Sequence, residues 1–231
     1  MMMANNETGV LFPVDEIGRI IRENSQAVFH VDGVQAVGKV PINLKDLPVD
    51  LFSVSGHKFH APKGIGALYI RRGVKLPPFI IGGGQESGRR SGTEAVPNIV
   101  ALGRASELAK EFNGHDDIRK LRDRLEDQIL SHFSSARLNG TSERAKRLPN
   151  TANISFVGFE GSEILARLDA EGICVSTGSA CNAESKKVSA VLEAMKTPYE
   201  IARGSIRFSL GRYNTQAEID QTVAALSDIL G

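Results

Sequence analysis

At 231 residues, with 41% hydrophobic and 24% charged side chains, the chain is long enough to bury a core and too mixed in composition to remain disordered. Its 28 lysines and arginines against 27 acids leave a formal charge of +1, which supplies none of the field that nucleic-acid binders and membrane-surface proteins use. No apolar run approaches the ~20 residues needed to span a bilayer, and no basic segment followed by an apolar core opens the chain, so a cytoplasmic protein is expected. The two cysteines, Cys174 and Cys181, match neither a redox pair nor a zinc knuckle, so neither a disulfide framework nor a metal site is expected.

Met1 to Met3 run into Ala4-Asn5-Asn6-Glu7-Thr8-Gly9, which is turn chemistry with nothing before it to turn from, and the chain is expected to begin mid-fold. Pro13 followed by Val14, Ile17, Ile20 and Ile21 predicts a helix that ends near Asn24. Short apolar runs at Ala27 to Val31, Asp50 to Ser55, Ala67 to Arg71 and Phe79 to Ile81 predict buried strands. A βαβ reading of these elements predicts a mainly parallel sheet with covering helices. Beyond Pro97, Ile99, Leu102, Ala105 and Leu108 form one helical stripe, and Ile118, Leu121, Leu125, Ile129 and Phe133 form a longer one. Thr151 to Val157 alternates like a half-buried strand, Ser162 to Glu171 reads as a helix, and Ile173 to Thr177 and Arg207 to Leu210 read as extended. Thr215 is placed to cap a closing helix, with Glu218 and Asp220 in its first turn. No internal repeat or low-complexity tract interrupts this order.

Chemistry concentrates in a few stretches. Ser55-Gly56-His57-Lys58 follows the apolar run from Val49 to Val54. A lysine desolvated at the end of a buried strand loses pKa toward the range where its neutral amine attacks an aldehyde. Ser55, His57 and the backbone around Gly56 offer hydroxyl, imidazole and amide donors to a phosphate. Asp32, after Phe29 to Val31 at another strand end, supplies a carboxylate able to pair with a pyridinium nitrogen, although a cap or a salt bridge accounts for most isolated aspartates. Together they look like a pyridoxal 5′-phosphate site with Lys58 as the Schiff-base lysine. Lys63 competes for that role, but Pro62 and Gly64 place it in an exposed turn. The glycines Gly82 to Gly84 carry no phosphate-loop pattern. Cys181 follows the small residues Ser176 to Ala180, which predict an accessible, mobile loop suited to a reactive thiolate, whereas Cys174 in the apolar run Ile173 to Val175 reads as inert packing. Lys186 and Lys187 could lower the thiol pKa, though such a pair is usually a solvated face. Arg207 offers a planar fork to a substrate carboxylate, with Arg212, Arg89 and Arg90 as alternatives.

From Ala4 to the last helix the chain resembles the cysteine desulfurases of the aminotransferase class V family. The resemblance rests on Asn5 to Gly9, His30-Val31-Asp32 with Gln35, Ser55 to Lys58, Gly82 to Glu86, Arg90 to Thr93, Ser176 to Cys181, and Arg207 to Arg212. It implies an α/β chain of the type I fold of pyridoxal-phosphate-dependent transferases. Residues 1–97 would be the C-terminal part of the large cofactor-binding domain, and residues 98–231 a smaller α+β domain carrying the cysteine loop. It further implies that Asn6, preferred over Asn5, and Gln35 contact the cofactor's ring oxygen, Asp32 its nitrogen, and Ser55 and His57 its phosphate. Thr93 would reach the phosphate of the partner subunit in a homodimer. Arg207, with Asn6, would bind the substrate, Lys58 would move the α-proton with assistance from His57, and Cys181 would receive sulfur from L-cysteine and pass it to an acceptor protein, for iron-sulfur cluster assembly or other sulfur transfer. The segment Asn182 to Lys187 departs from the commoner family continuation, which leaves the acceptor open. The resemblance also implies a long N-terminal portion that the chain lacks. A selenocysteine lyase, or a catalytically incomplete unit that only dimerises or binds, are the alternative readings.

Overall fold

The computed structural model describes residues 1–178 and 188–231, which divide into two compact units: Met1–Ala4 with Phe12–Asn113, and Asn5–Leu11 with Gly114–Gly231. In the first unit, helix α1 (Val14–Asn24) starts directly after Pro13, whose missing N–H is not needed there. It buries Val14 and packs Ile17 and Ile21 inward, while Ile20 points to solvent. Gly18 lets it approach closely, since a Cβ there would lie 2.7 Å from the Pro48 ring. Strands β1 (His30–Asp32) and β2 (Leu51–Ser55) pair in parallel, with Asp32 opposite Ser53, and β3 (Gly66–Ile70) runs antiparallel along β2. The core of this unit is Val14, Phe29, Val31, Val49 and Phe52.

Several expectations for this unit need correction. The sheet is mixed rather than mainly parallel, because the link 56–65 is too short for a crossover, which takes about a dozen residues or more. The connection from β1 to β2 is a series of turns and carries no helix. Phe79 to Ile81 is no strand: these side chains are exposed, Phe79 to 97%, in an irregular stretch before the glycines. Met1 to Met3, in turn, do have a partner. They lie against the outer edge of β1, where the Asp32 amide donates to the Met1 carbonyl at 2.8 Å and the Met3 amide to the Asp32 carbonyl at 2.8 Å. Helix α2 (Val96–Glu111) packs Ala105 against Phe59 and Ala61 and lies within the first compact unit.

In the second unit, α3 (His115–His132), α4 (Gly161–Ala170) and α7 (Gln216–Leu230) pack with an antiparallel sheet of β4 (Ala136–Leu138), β5 (Thr151–Phe156) and β6 (Ser205–Ser209), in which β5 is central. Two short helices, α5 (Ala190–Ala194) and α6 (Tyr199–Ala202), lead into β6. Leu125, Ile129, Ile154, Phe156, Ile164, Leu168, Ile206 and Leu226 form the core. Thr215 caps α7 as expected, in a box where its hydroxyl accepts from the Glu218 amide and Glu218 accepts from its backbone. Asp220 instead binds Arg124 of α3 at 2.7 Å. β5 alternates as the sequence says, but it is buried on both faces rather than one. Ile173 to Thr177 forms only a single bridge, Ser176 with Arg207, and Cys174 is exposed, not packed.

Candidate active site

The carboxyl ends of a parallel strand pair are where open α/β sheets bind ligands, because backbone amides and loop side chains converge there. In the first unit that position is held by Asp32, closing β1, and by Ser55, closing β2. Asp32 is exposed; its Oδ1 accepts from the Val34 amide at 2.9 Å, and its Oδ2 has no hydrogen bond among the described residues. The turn role of this aspartate is therefore real and leaves one oxygen for a ligand. Three residues on, Gln35 is half-buried and its Oε1 accepts from Lys39 Nζ at 3.0 Å, which leaves its amide N–H groups to donate elsewhere.

Ser55 hands over directly to a 3-10 turn, Gly56–Phe59. With three residues per turn, positions 56 and 59 share one face, and both are buried. Gly56 has no room for a side chain, since a Cβ would lie 2.9 Å from the Ala61 methyl. His57 and Lys58 are thereby turned outward, and both are exposed. The expectation of a lysine dried out by its own strand is thus corrected: the turn, not the strand, carries Lys58, and it presents the amine rather than burying it. Ser55 Oγ and His57 Nδ1 share a hydrogen bond of 3.0 Å, so hydroxyl and imidazole sit together at the strand end. Lys63 lies in an exposed turn with Gly64 at φ +87°, as its neighbours predict. Thr93 is exposed beyond the glycine stretch.

In the second unit the turn Asn5 to Gly9 separates the two asparagines by role. Asn5 is buried, and its Oδ1 accepts from the amides of Glu7 at 2.9 Å and Thr8 at 2.8 Å. Asn6 is exposed. Its carbonyl accepts from Arg207 Nη1 at 2.9 Å, which brings these two candidate substrate contacts together. Arg207 is half-buried on β6, and its Nε is buried with no hydrogen-bond partner among the described residues. A guanidinium donor left without a partner among the described residues, beside an exposed amide, is chemically able to receive a carboxylate. Cys181, with Lys186 and Lys187, lies outside the described residues.

One residue in that turn receives no role from sequence. Glu7 is 8% exposed, and its Oε2 accepts from the hydroxyl of Ser189, the cap of α5. The only sequence signal for it is its place in the motif after Asn6.

The donor set of the first unit, a carboxylate with a free oxygen, a hydroxyl and imidazole at a strand end, and an accessible amine, fits a phosphate-bearing pyridine aldehyde. Comparison with known proteins decides the family: residues 1–222 match the aminotransferase class-V model. The chain belongs to the aminotransferase class-V family. Members of this family use pyridoxal 5′-phosphate. The chain is 52% identical to a protein of Nostoc sp. named cysteine desulfurase, over 100% of this chain and 57% of that protein. It superposes on a solved NifS-like protein with a TM-score of 0.89 at 41% identity, covering 99% of this chain and 60% of that one. The NifS-like protein of Rickettsia africae gives a TM-score of 0.87 at 37% identity, covering 99% of this chain and 60% of that one. The chain thus spans 57% of the length of that curated Nostoc protein.

Proposed function

We propose that this chain is the part of a cysteine desulfurase that carries its lysine, its cysteine and its carboxylate clamp. The observation that supports this most directly is the pairing of Arg207 with Asn6, which leaves a buried guanidinium N–H to be satisfied by an incoming carboxylate. Bound pyridoxal 5′-phosphate supplies an electron sink for charge leaving the α-carbon of an amino acid. The residues of this chain do the rest. Asp32 would hold the ring nitrogen protonated through its free oxygen, and Gln35 and Asn6 would donate to the ring oxygen. Ser55 and His57 would donate to the phosphate, with Thr93 reaching the phosphate in the second protomer of a homodimer. Lys58 would be the lysine that holds the cofactor and the base that takes the α-proton, His57 assisting, while Arg207 and Asn6 would keep the substrate carboxylate in place.

Cys181 then attacks the substrate sulfur. L-cysteine and the Cys181 thiol become L-alanine and a Cys181 persulfide, with the carbon–sulfur bond broken, a sulfur–sulfur bond formed and no external oxidant. The persulfide is passed to an acceptor protein in the cytoplasm, for iron-sulfur cluster assembly or other sulfur transfer. Residues 1–97 then belong to the large cofactor-binding domain and 98–231 to the small domain with the cysteine loop. Among the described residues no helix is long and apolar enough to cross a membrane.

The test is the full-length protein supplied with pyridoxal 5′-phosphate. We expect a visible absorbance band that borohydride bleaches and that Lys58→Ala abolishes. We also expect alanine release from L-cysteine that Cys181→Ala abolishes without loss of the band. Turnover of selenocysteine alone would replace this reading with a lyase, and absence of the band would leave only a binding unit.

A further inference from the structure

We infer that Glu7 is a positioning residue that ties both flanks of the cysteine-bearing segment to the turn presenting Asn6; the inference rests on the cysteine desulfurase reading for its catalytic consequence. Its carboxylate is buried, and among the described residues no cation pairs with it. A buried acid is costly to keep unless strong donors face it. The donor present is the Ser189 hydroxyl, and that same hydroxyl oxygen accepts from the amides of Val191 at 3.1 Å and Leu192 at 3.2 Å, opening α5. On the other flank, the α-carbon of Gly178 packs so tightly on the carboxylate that a Cβ would lie 2.5 Å from Glu7 Oε2 and 2.8 Å from Ser189 Cβ. Positions 178 and 189 therefore converge on one oxygen atom, and Cys181 lies between them in sequence.

The other end of Glu7 is fixed separately. Its amide donates to Asn5 Oδ1 at 2.9 Å, and its carbonyl accepts from Asn153 Nδ2 of β5 at 3.1 Å. Asn153 is itself held by Asn139 at 2.7 Å and Ser205 at 2.9 Å. The backbone of the turn, including the Asn6 carbonyl that receives Arg207, thus does not depend on the carboxylate. Among the described residues, the carboxylate serves the link from that turn to residues 178 and 189. Glu7 thereby sets where the cysteine-bearing segment is anchored relative to Asn6 and Arg207, without touching substrate.

The test compares the full-length native protein with Glu7→Ala, which removes the acceptor, and Glu7→Gln, which keeps a carbonyl oxygen for Ser189. Hydrogen exchange at Val191 and Leu192 should accelerate about tenfold in Glu7→Ala, while Ile154 and Phe156 stay at native rates. With L-cysteine, kcat should fall about 10- to 100-fold with KM within about twofold, because attack geometry is lost while carboxylate binding is kept. Glu7→Gln should recover both readouts in large part. Unchanged exchange and kcat in Glu7→Ala, a Glu7→Gln as impaired as the alanine variant, or acceleration spread through β5 would each overturn the inference. If the native protein releases no alanine from L-cysteine, the functional reading fails, and local exchange alone then decides whether Glu7 makes the tie.

Discussion

Asp32 and Arg207 each spend part of a polar edge on the backbone and keep the remainder, so a substitution at either should separate folding from function. In Asp32→Asn the new Oδ1 still accepts from the Val34 amide, and the site is exposed, so stability should change by less than about 0.5 kcal/mol. What is lost is the negative charge that the proposed function sets against the ring nitrogen, and on that proposal alanine release should fall on the order of 100-fold or more. Thermal melting and turnover measured side by side check both halves. Arg207→Lys replaces a fork by a point charge that cannot keep the Asn6 carbonyl and present a second edge, so KM for L-cysteine should rise roughly tenfold or more, read by steady-state kinetics. The chemistry proposed for these residues is legible in sequence because carboxylate, amide and guanidinium groups travel with residue type. The exposure of Lys58 is not, because it depends on a 3-10 period of three that no apolar stripe announces. Cys174 misleads in the same way: its apolar neighbours suggest packing, whereas the structure exposes it.

β5 shows what periodicity conveys and where it stops. Ala152, Ile154 and Phe156 face the helices' core as the alternation implies, but Thr151, Asn153 and Ser155 are buried as well. The polar atoms of Asn153 and Ser155 are satisfied by Asn139, Ser205 and the Glu7 carbonyl, partners distant in sequence and therefore invisible to a local pattern, whereas the Thr151 hydroxyl donates to the adjacent Asn150. A comparable case lies on α3, where Glu126 grips the fully buried Arg147 with two bonds of 2.7 and 2.8 Å. Arg147 sits in the segment whose backbone holds the functional turn, through the Leu148 amide to the Gly9 carbonyl and the Leu11 amide to the Lys146 carbonyl, at 2.8 Å each. Glu126→Ala would strand a buried guanidinium next to Arg122, whose own pKa is already pulled down by burial and then by Arg147. The loss should be about 3–5 kcal/mol in urea unfolding, whereas replacing both partners with apolar residues should cost far less. The contact between α7 and α3 carries a pH signature. Hydrogen bonds from Arg124 and then Gln128 lower the pKa of Asp220, so the folded value lies below the unfolded one. Its contribution is complete above the ordinary aspartate pKa and disappears as pH falls through the depressed value. The melting-temperature gap between native protein and Asp220→Asn should therefore narrow on acidification from neutral pH and close only in strong acid.

Compact units follow burial rather than sequence texture. Pro97 marks a change of sequence texture, yet α2 begins before it and packs Ala105 on the turn that carries Lys58, while Asn5–Leu11 joins the later residues through long-range pairing. A sequence boundary records where patterns change; a compact unit records which faces are buried together, and α2 is needed to cover Phe59. What the first unit leaves uncovered is equally specific. Phe79 is 97% and Ile81 84% exposed, just before Gly82 to Gly84 and the stretch leading to Thr93, which the homodimer proposed above would direct toward the second protomer. Full burial of such a side chain is worth about 1.5–3 kcal/mol. In a twofold assembly each substitution counts twice. Phe79→Ser combined with Ile81→Ser in the full-length protein should therefore raise the dimer dissociation constant by roughly 100-fold or more, even if half of that burial is imperfect. Because neither side chain contributes to the core of its own unit, melting of the isolated protomer should barely change. Sedimentation equilibrium over a range of concentrations reads the shift, and a variant that associates as tightly as the native protein would place the subunit contact elsewhere.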